Sequence, residues 1–116
     1  MTFVQIYAGP DGESRFGDLE IIFDPSDPSQ RGSFNLESSE ATFHRFPTGS
    51  VSQWHTASQR QYVFVLRGEM EVTVGNGDVR RFGSGNMFLD GDVTGRGHLT
   101  RVLGHTPLIL LAIPEP

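Results

Sequence analysis

The chain has 116 residues, nine basic and fourteen acidic side chains, four histidines and no cysteine, for a formal net charge of −5. One domain with a single core fits that length. The absence of cysteine excludes disulfides and thiolate metal sites, and the acidic balance removes the electrostatic basis for nucleic acid or an anionic membrane as partner. No stretch has the apolar length of a transmembrane helix. Met1–Gln5 lacks the basic-then-apolar order of a signal peptide, so a cytoplasmic location is expected.

Glycine and proline punctuate the chain into short alternating segments, the pattern of an all-β sandwich or barrel. Two strands are expected in an N-terminal arm, Phe3 to Ala8 and Leu19 to Phe23. The breaker-rich stretch Asp24 to Gly32 then reads as a polar loop, dividing an arm with edge strands (residues 1–32) from a barrel (residues 33–116). A strand over Ala41 to Phe46 follows. Gln61 to Arg67 is rich in β-branched and aromatic residues and is the clearest strand. After the turn Arg67-Gly68-Glu69, Met70, Val72 and Val74 alternate with Glu71 and Thr73. Gly75 to Asp78 turns the chain into Val79–Phe82, and Gly83 to Asn86 turns it again. Met87–Leu89, His98–Leu103 and Leu108–Ile113 complete the series. No segment has a helical period. The expected fold is an antiparallel jelly-roll barrel with almost no helix. The apolar runs of the arm exceed the needs of one small barrel, and barrel sheets have edges to cover, so a homodimer is expected.

The frame from Gly49 to Gly68 carries the chemistry. Five residues separate Gly49 from His55, Ala57 stands two residues after His55, and Gln61 is followed six residues later by Gly68. This frame resembles the first motif of the cupins, in which the three positions are His, His and Glu. The second cupin motif is matched more loosely. Gly95 is followed after two residues by His98, but Val93 stands in place of a proline and Val102 in place of an asparagine. Gly85 also lies two residues further upstream than the motif requires. The region from Gly49 to Pro114 thus resembles a small single-domain cupin, which implies a double-stranded β-helix.

What the resemblance implies about the site is one divalent metal ion held by His55, Gln61 and His98, with zinc, iron, nickel and manganese not distinguished. Ala57 cannot coordinate, and Gln61 offers a neutral oxygen where the family has a carboxylate, so the expected site carries no negative charge. Val63, Val65, Met70 and Val72 are expected to line the pocket. His44 is a candidate for the donor lost at Ala57, and Arg96, close to His98, is a candidate for recognising a ligand carboxylate. No catalytic residue is assigned. Two functions fit. One is a metal-dependent enzyme of dioxygenase, isomerase or lyase type acting on a small oxygen-rich molecule. The other is a metal-free small-molecule binding module, in which His55, His98 and Gln61 are hydrogen-bonded interior groups.

Overall fold

The structure, a computed structural model, describes residues 1–23 and 34–115. The expected polar loop and the arm–barrel boundary fall outside the described residues. Nine strands and no helix are present among them. These are β1 (Thr2–Ala8), β2 (Ser14–Glu20), β3 (Thr42–Phe46), β4 (Gln61–Arg67), β5 (Glu69–Thr73), β6 (Val79–Gly83), β7 (Met87–Asp90), β8 (Leu99–Leu103) and β9 (Leu108–Pro114). They form a six-stranded sheet in the order β2-β1-β7-β4-β9-β3 and a three-stranded sheet in the order β6-β5-β8. Every pairing is antiparallel except that of β1 with β7.

The expected strand at Leu19–Phe23 is displaced to Ser14–Glu20. A tight turn after β1, with Gly12 at φ 80° and the Gly9 amide donating to the Glu13 carbonyl at 2.9 Å, sets Ala8 opposite Ser14 and Phe3 opposite Leu19. Residues 14–20 have little apolar alternation of their own. They become a strand because β1 offers them a ladder, and the apolar run that marked the expected strand instead leaves the sheet, with Ile21 tucked into a packed cluster.

β4 is the organising strand, paired with β7 on one side and β9 on the other. Its period of two sends Val63 and Val65 inward and Tyr62 and Phe64 outward. The outward pair is not left bare: Tyr62 and Phe64 pack with Ile21, Met87, Leu89, Phe3, Leu19 and Leu36, so the arm covers this face of the sheet. On the facing sheet Met70, Val72 and Val74 are buried, as their alternation requires. Ile6, Val65, Val72, Phe82 and Phe88 belong to the core between the sheets. The same sandwich leaves a space beside Val63, Met70 and Phe88, and the site lies there.

Candidate metal centre

Two histidines distant in sequence are brought together by main-chain pairing. The His55 amide donates to the His98 carbonyl at 3.0 Å and the His98 amide to the His55 carbonyl at 2.9 Å, an isolated bridge that stacks one motif on the other. The imidazole centroids lie 4.6 Å apart. Gly97 makes this approach possible. It sits at φ 81°, and a Cβ there would run into the His55 carbonyl oxygen. Ser14 fixes the same loop from β2: its hydroxyl donates to the Gly97 carbonyl at 2.7 Å and accepts from the Gly75 amide at 2.8 Å.

The ring nitrogens then have assigned roles. His55 Nδ1 is 2.8 Å from the Gln53 carbonyl oxygen. A carbonyl only accepts, so Nδ1 carries the hydrogen and, in the neutral ring, Nε2 carries a lone pair. His98 Nδ1 is 2.7 Å from Asp92 Oδ2, with both side chains buried. A second carboxylate lies beside them: Asp90 Oδ1 is 3.8 Å from His98 Nδ1. Asp90 stands directly across the β4–β7 ladder from Gln61, whose amide nitrogen is 3.5 Å from Asp90 Oδ2. Asp90 Oδ1 and Asp92 Oδ1 are both buried with no hydrogen-bond partner.

Burial, reinforced by the neighbouring Asp92 charge and opposed by His98, pushes the Asp90 carboxyl up to about 7. Burial alone would lower the His98 imidazole, but its hydrogen bond to Asp92 and the charges of both carboxylates prevail and raise it. Below neutrality, then, the centre holds a proton on Asp90 and an imidazolium paired with Asp92. Ligand-type atoms of Asp90, Asp92 and His98 all lie within 4.8 Å of one another, so the three can hold a metal ion. The donor set fits such an ion: two carboxylates balance a divalent charge, and each has an oxygen that lacks a partner. The charge missing at Gln61 is present one strand away, at Asp90, with a second at Asp92.

The centre forms the polar end of a cavity of about 320 Å³, to which His55, Gln61, Asp90 and His98 contribute. Val63 and Met70 line it, as do Phe88, Leu110 and Ala112. His44 also lines it, exposed and stacked 6.2 Å from Phe46. Val65 and Val72 do not: at 1% and 0% exposure they are closed in the packed core. Arg96 does not either. Its guanidinium donates to Glu13 Oε2 at 2.7 Å and to the Gly75 carbonyl at 3.1 Å, and lies 4.2 Å over the Trp54 ring. It latches the β1–β2 turn to the loop before His98 and is not placed to meet a ligand in the cavity. Asp90 and Asp92 escaped the sequence reading because Asp-Gly-Asp after an apolar strand reads as a solvated turn. The cross-strand register with Gln61 is the signal that finds them.

No protein-family model matches the chain, and no curated protein does. Solved structures do resemble it. A cupin domain of Schizosaccharomyces pombe Cnp3 superposes with a TM-score of 0.55 at 19% identity, covering 89% of this chain and 73% of that one. The conserved SPY1581 protein of unknown function from Streptococcus pyogenes gives 0.51 at 16% identity, over 71% of this chain and 68% of its own. Protein NMB1881 from Neisseria meningitidis gives 0.50 at 17%, over 72% and 79%. The chain has the cupin fold; at these identities the likeness speaks to fold alone.

Proposed function

We propose that the chain is a metal-dependent enzyme of isomerase or lyase type, with a divalent cation held by Asp90, Asp92 and His98 at the end of a small-molecule cavity. The observation that carries this reading is the pair of buried carboxylate oxygens without partners, Asp90 Oδ1 and Asp92 Oδ1. A buried polar atom left unpaired costs ~1–3 kcal/mol, and more when charged, so two on carboxylates that flank one histidine mark a place built for something else. The cation would supply Lewis-acid polarisation of a ligand oxygen. Two hard oxygens and one imidazole suit manganese, iron or zinc better than copper.

The protein groups divide the remaining work. Asp92 fixes the ring of His98 through the 2.7 Å contact. Gln61, neutral, leaves the charge to Asp90 and steadies its second oxygen. His55, the exposed histidine of the pair, has its Nδ1 committed to Gln53 and its Nε2 free, the form needed for a general base that takes a proton from carbon or oxygen. Proton transfer by such a base is the central step of isomerase and lyase chemistry, and that emphasis is why this class is preferred to a dioxygenase.

A metal-free binding module is the second reading. It is favoured by one observation, that the His98–Asp92 bond is already short and complete. Metal content and calorimetric affinity of protein purified without an affinity tag separate the two. On the proposed reading manganese or zinc binds, and Asp90→Asn weakens it at least tenfold. No binding by the parent chain at pH 8 rejects the metal, and with it the enzyme, and leaves the module.

A further inference from the structure

We infer that the cavity's ligand is a largely hydrocarbon molecule with a single hydroxyl head group, a hydrophobic phenol or alcohol, and not the oxygen-rich molecule that the sequence led us to expect. This deepens the proposed reading and rests on it for the site of the head group. The argument starts with the walls. Val63, Met70, Phe88, Leu110 and Ala112 present no hydrogen-bonding side chain. At the rim Phe46 and Val51, 39% and 58% exposed, carry the apolar surface out to solvent. Of the three hydroxyl side chains in the lining, two are engaged: Ser50 donates to the Pro47 carbonyl at 2.6 Å, and Ser52 accepts from the Thr100 amide at 2.9 Å, which leaves the Thr100 hydroxyl alone to meet a ligand along the walls. Each hydroxyl of a polyol beyond the first would be desolvated against these walls at a cost of ~1–3 kcal/mol.

Charge narrows the class further. The chain has no lysine, and Arg101, among the residues lining the cavity, has its guanidinium held by Glu71 at 3.3 and 3.4 Å. Among the described residues no unpaired arginine lines the cavity to meet an anionic ligand. The polar end instead offers an acceptor that the cation leaves free, His55 Nε2. An acceptor in an apolar cavity selects a donor, and a neutral hydroxyl supplies one without bringing in a charge. The volume, about 320 Å³, is roughly twice the ~150 Å³ cavity that takes up one benzene, which fits one ring with a short chain.

The test is a titration of the full chain with 4-propylphenol, propylbenzene and glucose, followed by backbone amide shifts in the presence of EDTA and repeated with manganese replaced by diamagnetic zinc. Propylphenol is expected to shift the Val63, Leu110 and Ala112 amides saturably and to leave β6 unmoved. Propylbenzene should bind the same place about tenfold more weakly, the worth of one buried hydrogen bond, and glucose should not bind. Ala112→Leu, which fills the cavity, should weaken propylphenol at least tenfold while keeping a dispersed spectrum. If that variant unfolds, the three-probe comparison on the parent chain decides alone. Equal affinity for propylphenol and propylbenzene overturns the inference, as does glucose binding at these amides or no response to propylphenol. The EDTA arm keeps the two ideas apart: propylphenol bound there, with no zinc bound in the other arm, sinks the metal and leaves the ligand class standing.

Discussion

Asp90 combines two roles, carboxylate partner of Gln61 across the sheet and neighbour of the buried His98–Asp92 pair. Its raised carboxyl makes the metal-free protein sensitive to alkali. Between 3.8, its ordinary value, and about 7, the folded chain keeps a proton that the unfolded chain has released, so stability falls as pH rises. The fall has a slope of at most ~1.4 kcal/mol per pH unit for one proton. His98 is also raised, from 6.5, and adds to the loss from that value upward, because its proton too is held more tightly in the folded state. In EDTA the melting temperature should drop from pH 5 to pH 8, and Asp90→Asn should flatten the part below pH 7. A melting temperature that rises over that interval would contradict the assignment. His55, Gln61 and His98 were readable because motif spacing places them. The carboxylates were not, since their proximity to His98 comes from strand register and from a loop that the tertiary fold buries.

A single bridge between His55 and His98 joins the loop before β4 to the loop before β8, and Gly97 is its weak point. Gly97→Ala places a side chain at positive φ and against the His55 carbonyl. The expected cost is roughly 2–4 kcal/mol, read as a lowered denaturant midpoint, together with loss of metal affinity as the two rings part. An unchanged midpoint would show that the loop has room this geometry denies it. Strands with their own alternation, β4, β5 and β9, were readable to within a residue or so. β2 was not, because its residues pair by virtue of the turn at Gly12 and the offer of β1, and neither is written as hydrophobic pattern.

Over the whole molecule the arm is part of the barrel's larger sheet. β1 lies between β2 and β7, and Ile6 is fully buried in the main core. The apolar runs that argued for a second copy serve at least in part to cover Tyr62 and Phe64 within the chain. Deleting residues 1–23 strips the edge of β7 and uncovers that face, and aggregation is the expected outcome. A soluble, dispersed monomer from the truncated chain would mean that residues 24–116 close their own core. Among the described residues β3 is an edge of the sheet, and with Phe43 at 70% exposure it is the place we propose for pairing with a second copy.

The central claim is that a divalent cation takes the place of protons at Asp90 and His98. Titration calorimetry with manganese, in buffers of different ionisation enthalpy, counts those protons directly. At pH 6, with Asp90 protonated below its value of about 7 and His98 held as imidazolium, binding should release about two protons and weaken steeply on further acidification. At pH 8 the release should shrink as Asp90 gives up its proton beforehand. Binding that releases no proton at pH 6, or no binding at either pH, would contradict the account.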